Sequence, residues 1–155
     1  MRRSRHILAA GALLLVVLAV VVACPGCRKP PPTPRVVING RGWYVDLART
    51  PQEQHRGLGG RTYLSSDVGM LFIFDQPKEL TFCMRDTEIP LDIAFISQDL
   101  KVVSVQTMAV EPDRAGRAIY RSAGPAKYAM EVPAGGLTGA GAKPGDRVEF
   151  VDIAR

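Results

Sequence analysis

The sequence is poor in the residues that most often do chemistry. Its 155 residues include two histidines, one tryptophan and three cysteines. His6 lies in the basic N-terminal stretch and His55 in a helical segment, so neither offers a general base at a strand end. No G-x-S-x-G elbow, Walker phosphate loop or H-E-x-x-H zinc motif occurs. Three cysteines do not make a disulfide framework, and Cys27 sits in a linker, far in character from Cys83 in a strand pattern. Soft metal ligands are unconvincing too. Cys83 and Met84 are strand neighbours and point to opposite faces, and methionine routinely fills apolar cores. No catalytic residue, metal or cofactor is expected.

Charge of one sign is not concentrated. The chain carries 20 basic and 15 acidic side chains, and Arg2, Arg3 and Arg5 alone account for much of the +5 excess. Arg41, Arg61, Arg85, Lys101 and Arg147 are dispersed among acids. Nucleic-acid binders gather basic residues on one face, so nucleic acid is not expected as a partner.

What is present begins with an address. Residues 1–23 read as a signal peptide: a basic start, then the uncharged run Ile7–Ala23. Val21-Val22-Ala23-Cys24 ends it and resembles the lipobox of bacterial lipoproteins, in which the cysteine is lipidated and becomes the new N-terminus. A membrane partner through lipid on Cys24 follows, with the protein extracytoplasmic on the periplasmic face or cell surface. An uncleaved anchor is the rival reading, because the apolar run approaches the roughly 20 residues that span a bilayer. Cys24-Pro-Gly-Cys27 has redox-pair spacing but not the strand-to-helix setting such pairs need. Residues 24–35 are rich in proline, favour an extended spacer and cannot build a core.

Residues 36–155 then read as one domain. Thr50-Pro-Gln-Glu53 is a capping box with proline at the first helical position, and Gly57 stops that helix. Strand patterns cover Trp43–Leu47, Met70–Phe74, Leu80–Met84, Leu91–Ile96, Val102–Met108, Lys127–Val132 and Arg147–Ile153. Many short strands with one or two short helices predict a mainly β fold, a compact antiparallel sandwich or barrel-like domain. Alternation gives several strands one apolar face and one small or polar face. The second faces either meet solvent or line a groove with Thr81, Cys83, Asp92 and Glu131.

From Thr50 to Phe150 the chain resembles the bacterial and archaeal family known as domain of unknown function 192. The resemblance rests on Thr50-Pro-x-Glu53-x-x-Arg56-Gly-Leu58, Arg61, Gly69-Met-Leu-Phe72 and Phe82-x-Met-Arg-Asp-Thr87. It continues through Ile89-Pro-Leu-Asp-Ile93, Tyr128-x-x-Glu131 and Gly145-Asp146. It implies a small β-rich domain, often exported or lipid-anchored, and brings no activity or site with it. Cys83 stands where the family usually has tryptophan, Gly59 where it usually has methionine, and Asp86 where asparagine is common.

Arg85-Asp86-Thr87 is the densest polar cluster and lies between strand patterns. With Asp92, Glu131, Arg56 and Arg61 it makes the candidate ligand-binding set, although Asp86 and Thr87 are also ordinary turn formers and Glu53 and Arg56 an ordinary helical pair. The expected function is a non-catalytic binding or accessory domain for a small polar ligand or an envelope protein. A small hydrolase using the carboxylates of Asp92 and Glu131, and a purely structural envelope protein, are the alternatives. The mature protein should begin at Cys24 and carry lipid there, and Cys24→Ser should abolish lipid labelling. Intact mass is the measurement, and an unmodified Cys24 behind a retained signal contradicts it.

Overall fold

The computed structural model describes residues 33–154, so the signal segment, Cys24 and most of the proline-rich linker lie outside the described residues. The elements are β1 (Arg35–Ile38), β2 (Arg41–Ala48), α1 (Pro51–Arg56), β3 (Val68–Lys78), β4 (Thr81–Phe82) and β5 (Leu91–Ile96). They continue with β6 (Val102–Met108), β7 (Tyr120–Arg121), β8 (Ala126–Pro133), α2 (Gly136–Gly139) and β9 (Val148–Val151).

Seven strands form one sheet in the order β6-β5-β8-β3-β2-β1-β9, and β4 pairs with β7 beside it. Every pair is antiparallel except β2 with β3. Parallel neighbours need a crossover rather than a hairpin, and the segment carrying α1 supplies it. The sheet curls until its edge strands meet at one end. There Lys101 bridges to Arg147, the Val102 amide donates to the Asp146 carbonyl at 2.9 Å, and the Val148 amide donates to the Leu100 carbonyl at 2.9 Å. The result is a mainly β half-barrel with two short helices, as the strand patterns predict.

Three details differ from the sequence reading. β1 begins at Arg35, inside the stretch read as linker; its signal was the Asn39-Gly40 hairpin, whose φ values of 51° and 79° fit a two-residue turn of the kind Asn-Gly favours. The Leu80–Met84 pattern yields only the two-residue β4, because its partner β7 is equally short. The third difference concerns the faces. All six residues of β5 are buried, and both sides of the sheet are covered. Inside the curl lies a core of Trp43, Leu71, Ile96, Tyr128, Met130 and Val148. On the other face, Leu58, Phe72, Met84, Ile93 and Phe95 form a second core beneath the loops. The small faces of β5 and β8 therefore neither meet solvent nor share one groove.

Asp92 is fully buried on the inner face. Its Oδ1 accepts from the Thr107 hydroxyl at 2.7 Å on β6. Its Oδ2 accepts from the amides of Gly135, Leu137 and Thr138 at 3.0, 3.1 and 3.2 Å. One side chain thus ties β5 to β6 and clamps the turn that leaves β8. Asp92→Ala should cost about 3 kcal/mol in chemical denaturation, because the buried Leu137 amide and three part-buried donors lose their acceptor at once. Asp92→Asn should cost less, since the carboxamide oxygen can still face the backbone amides while its nitrogen faces Thr107.

Candidate functional site

Opposite Asp92, on the outer face of the sheet, a cavity of about 270 Å³ opens between α1, β3, β4 and the segment after β4. Each wall has a local cause. Thr50 accepts from the Glu53 amide at 3.2 Å, while the Glu53 carboxylate accepts from the Thr50 amide at 2.9 Å. This reciprocal cap fixes where α1 starts and hence where Gln54, His55 and Arg56 stand. Those bonds hold the Glu53 carboxyl below its ordinary range. Gln54 is pinned to the sheet by its amide nitrogen, which donates to the Ile73 carbonyl at 2.8 Å. Phe82 anchors β4 through edge-to-face contacts with Phe72 at 4.9 Å and Phe95 at 5.7 Å between ring centres.

The segment after β4 is a braced turn. The Thr87 amide donates to the Met84 carbonyl at 3.2 Å, and the Thr87 hydroxyl to the Arg85 carbonyl at 3.1 Å. Asp86 holds a φ of 53°, a left-handed conformation that Asp tolerates better than most residues. Its amide donates to the Arg114 carbonyl at 3.0 Å and its carbonyl accepts from the Gly60 amide at 2.8 Å. Gly116 presses against this segment from outside: a β-carbon there would lie 2.9 Å from the Arg85 Cβ and 3.0 Å from the Cys83 Sγ. The Arg85 side chain is left exposed at the mouth, its Nη1 3.4 Å from the His55 Nε2.

Glu131 of β8 lies at the bottom. It pairs in register with Met70 on one side and Ile93 on the other, both buried and apolar. Gly69, next to Met70, lets β3 and β8 approach closely, since a β-carbon there would lie 2.4 Å from the Glu131 carbonyl oxygen. Glu131 is 5% exposed and lines the cavity. Burial pushes its carboxyl up to about 8, with no hydrogen bond or cation among the described residues to offset it. At neutral pH it keeps its proton and offers the cavity a hydrogen-bond donor.

Of the residues singled out from sequence, Arg56, Arg85, Thr87 and Glu131 come together here. Asp86 lines a neighbouring depression with Gly59, Arg56 and Arg85. Arg61 turns away and pairs with Asp46 on β2 at 2.6 Å. Asp92 belongs to the inner face, because it pairs with Val132 while Ile93 pairs with Glu131. The two carboxyls of the hydrolase alternative therefore point to opposite sides of the sheet and share no cleft. Gln54 and His55 are lining residues that the sequence reading left out of the site, although the capping box sets the phase of the helix that carries them. All three departures from the family pattern fall here as well: Cys83 lines the cavity, and Gly59 and Asp86 line the adjoining depression.

Residues 35–150 match the DUF192 family, described as "Uncharacterized ACR". The fold is similar to that of a protein of unknown function from Novosphingobium aromaticivorans DSM 12444, at 37% identity and a TM-score of 0.67, over 76% of this chain and 83% of that one. It is also similar to a protein from Sinorhizobium meliloti 1021 described as a candidate transcription regulator, at 32% identity and a TM-score of 0.68, over 79% of this chain and 95% of that one. None of the curated proteins matches this chain.

Glu131 makes stability depend on pH in a defined direction. Unfolded, its carboxyl ionises near the ordinary value of 4.5; folded, it holds the proton to about 8. The contribution is therefore fully present below about pH 4.5 and lost as pH rises to about 8, a loss on the order of 4 kcal/mol. Denaturation at about pH 5 and pH 8 should show this fall in the native chain and a much smaller one in Glu131→Gln.

Proposed function

The chain belongs to the DUF192 family, and we propose that its domain is a non-catalytic binding domain whose cavity over Glu131 receives a small polar ligand, on a protein held outside the cytoplasm by lipid at Cys24. The observation that carries this is a largely buried carboxyl, with no hydrogen-bond partner among the described residues, at a cavity that two exposed arginines also line. Burying a polar group without a partner costs free energy, and a bound ligand supplies the missing partner. The arrangement of an apolar floor, a few convergent polar groups and a perturbed titratable residue is that of ligand sites in general.

Binding is favoured over hydrolysis because the cavity presents a single carboxyl, whereas two-carboxylate hydrolysis needs a facing pair. It is favoured over a purely structural role because the cavity lies outside the filled interior of the half-barrel, where packing does not require it. The proline-rich stretch and the lipobox are what support the location, and they give the domain a tether of its own.

A thermal-shift screen of the full chain against small polar metabolites tests the binding role. A ligand at a hundred times its Kd should add about 2.7 kcal/mol of stability. The same compound should leave Glu131→Leu unshifted, because leucine keeps the volume and removes the polar group. Equal shifts in both proteins, or no stabilising compound in a broad screen, would overturn the proposal.

A further inference from the structure

The charge layout of the cavity says more than that its ligand is polar. The charged groups at the mouth are Arg56 from α1 and Arg85 from the braced turn, and among the described residues neither forms an ion pair. Among the acids close in sequence, Glu53 caps α1 and Glu88 pairs with Arg114, while Asp86 lines the adjoining depression beside both arginines without an ion pair to either. Two exposed arginines on separate elements line one opening, a pairing suited to an oxyanion.

The bottom of the cavity is complementary to the same ligand. Glu131 is walled by the apolar side chains of Phe72 and Leu58, and its own burial is unrelieved by either arginine. Glu131 and both arginines line the same cavity, Glu131 buried and the arginines exposed. Resting on the binding role proposed above, we infer that the cavity takes a small hydroxylated anion, bearing a carboxylate or phosphate, with its charge on Arg56 and Arg85 and an acceptor oxygen on the Glu131 carboxyl. A cationic ligand would meet two like charges at the mouth, and a neutral one would gain no charge-assisted bond from either guanidinium. The volume of about 270 Å³ is at the small end for ligand sites and suits a molecule of monosaccharide size.

Anion binding then acquires a pH dependence. Below about pH 8 Glu131 is a donor to the ligand; above it, the carboxylate repels the anion and has no proton to give. The other groups lining the cavity that titrate or carry charge are His55 and Arg56 on α1 and Cys83 and Arg85 beyond β4. β3 contributes the apolar Phe72, and the β5 residue beside Glu131 is the apolar Ile93.

Four probes built on one hydroxylated ring separate the possibilities: glucose, glucosamine, glucuronate and glucose 6-phosphate. Binding of each to the full chain is followed by NMR at about pH 7 and pH 9. One or both anions should bind at least about tenfold more tightly than glucose or glucosamine, and which one does so distinguishes carboxylate from phosphate. Their affinity should fall about tenfold toward pH 9, and Arg85→Ala should weaken it by about the same factor. In Glu131→Gln the anion should still bind and the fall should vanish, because the carboxamide remains a donor. The fall should persist in His55→Asn and in Cys83→Ser, whatever their affinity at neutral pH. Glucose or glucosamine binding as well as the anions, or a fall that survives Glu131→Gln, overturns the anion assignment while leaving a binding site in place. If no probe binds and the broader screen yields only neutral or cationic ligands, the assignment also falls. A screen with no ligand of any charge removes the site itself.

Discussion

A buried carboxylate on the inner face of the sheet is the constraint from which the rest of the structure hangs. Asp92 accepts from a β6 hydroxyl and from the amides of Gly135, Leu137 and Thr138 beyond β8, so a shift of β5 against either neighbour breaks several bonds to one buried side chain. The register it locks is also the one that turns Glu131 outward. Two acids on adjacent strands are thus treated in opposite ways. One is surrounded by donors and holds the fold; the other has none and faces an opening. That contrast separates the two acids more clearly than burial, which they share.

Much of the framework could be read from the residues before any coordinates. The capping box at Thr50 fixed the start of α1, and alternation placed β5 and β6 within a residue of their observed bounds. The relation between Asp92 and Glu131 was not legible. Each strand shows which of its own residues share a face, but which faces coincide depends on pairing, and a slip of one residue inverts the answer. Arg61 illustrates a second limit. Its partner Asp46 lies on a strand brought alongside by the parallel β2–β3 crossover, and nothing local announces that contact. β1 was overlooked for a different reason: its four residues follow prolines directly, and only the Asn39-Gly40 turn marked it.

The cavity has a floor of strand residues and a rim of loop residues, and rims of this kind are where binding groups on β scaffolds commonly sit. These loops are braced against one another. The Glu111 carboxylate gathers the amides of Arg117 and Ala118, and the stretch so formed places Gly116 and Arg114 against the turn that bears Arg85. Side chains at the mouth are therefore carried on a fixed backbone, and ordering them around a ligand costs mainly rotamer freedom.

The half-barrel joins the two extremes of its own chain. β1 lies between β2 and β9, and the last residues before β9 also provide the partner for the start of β6. Closure therefore waits on the final strand of the domain. Contacts between distant parts of a sequence form slowly, because a long loop must be closed before they repay its entropy. During synthesis, β1 keeps one unpaired edge until β9 has been made. A chain interrupted before β9 would leave β1 with a bare strand edge, the kind of surface that pairs with other chains.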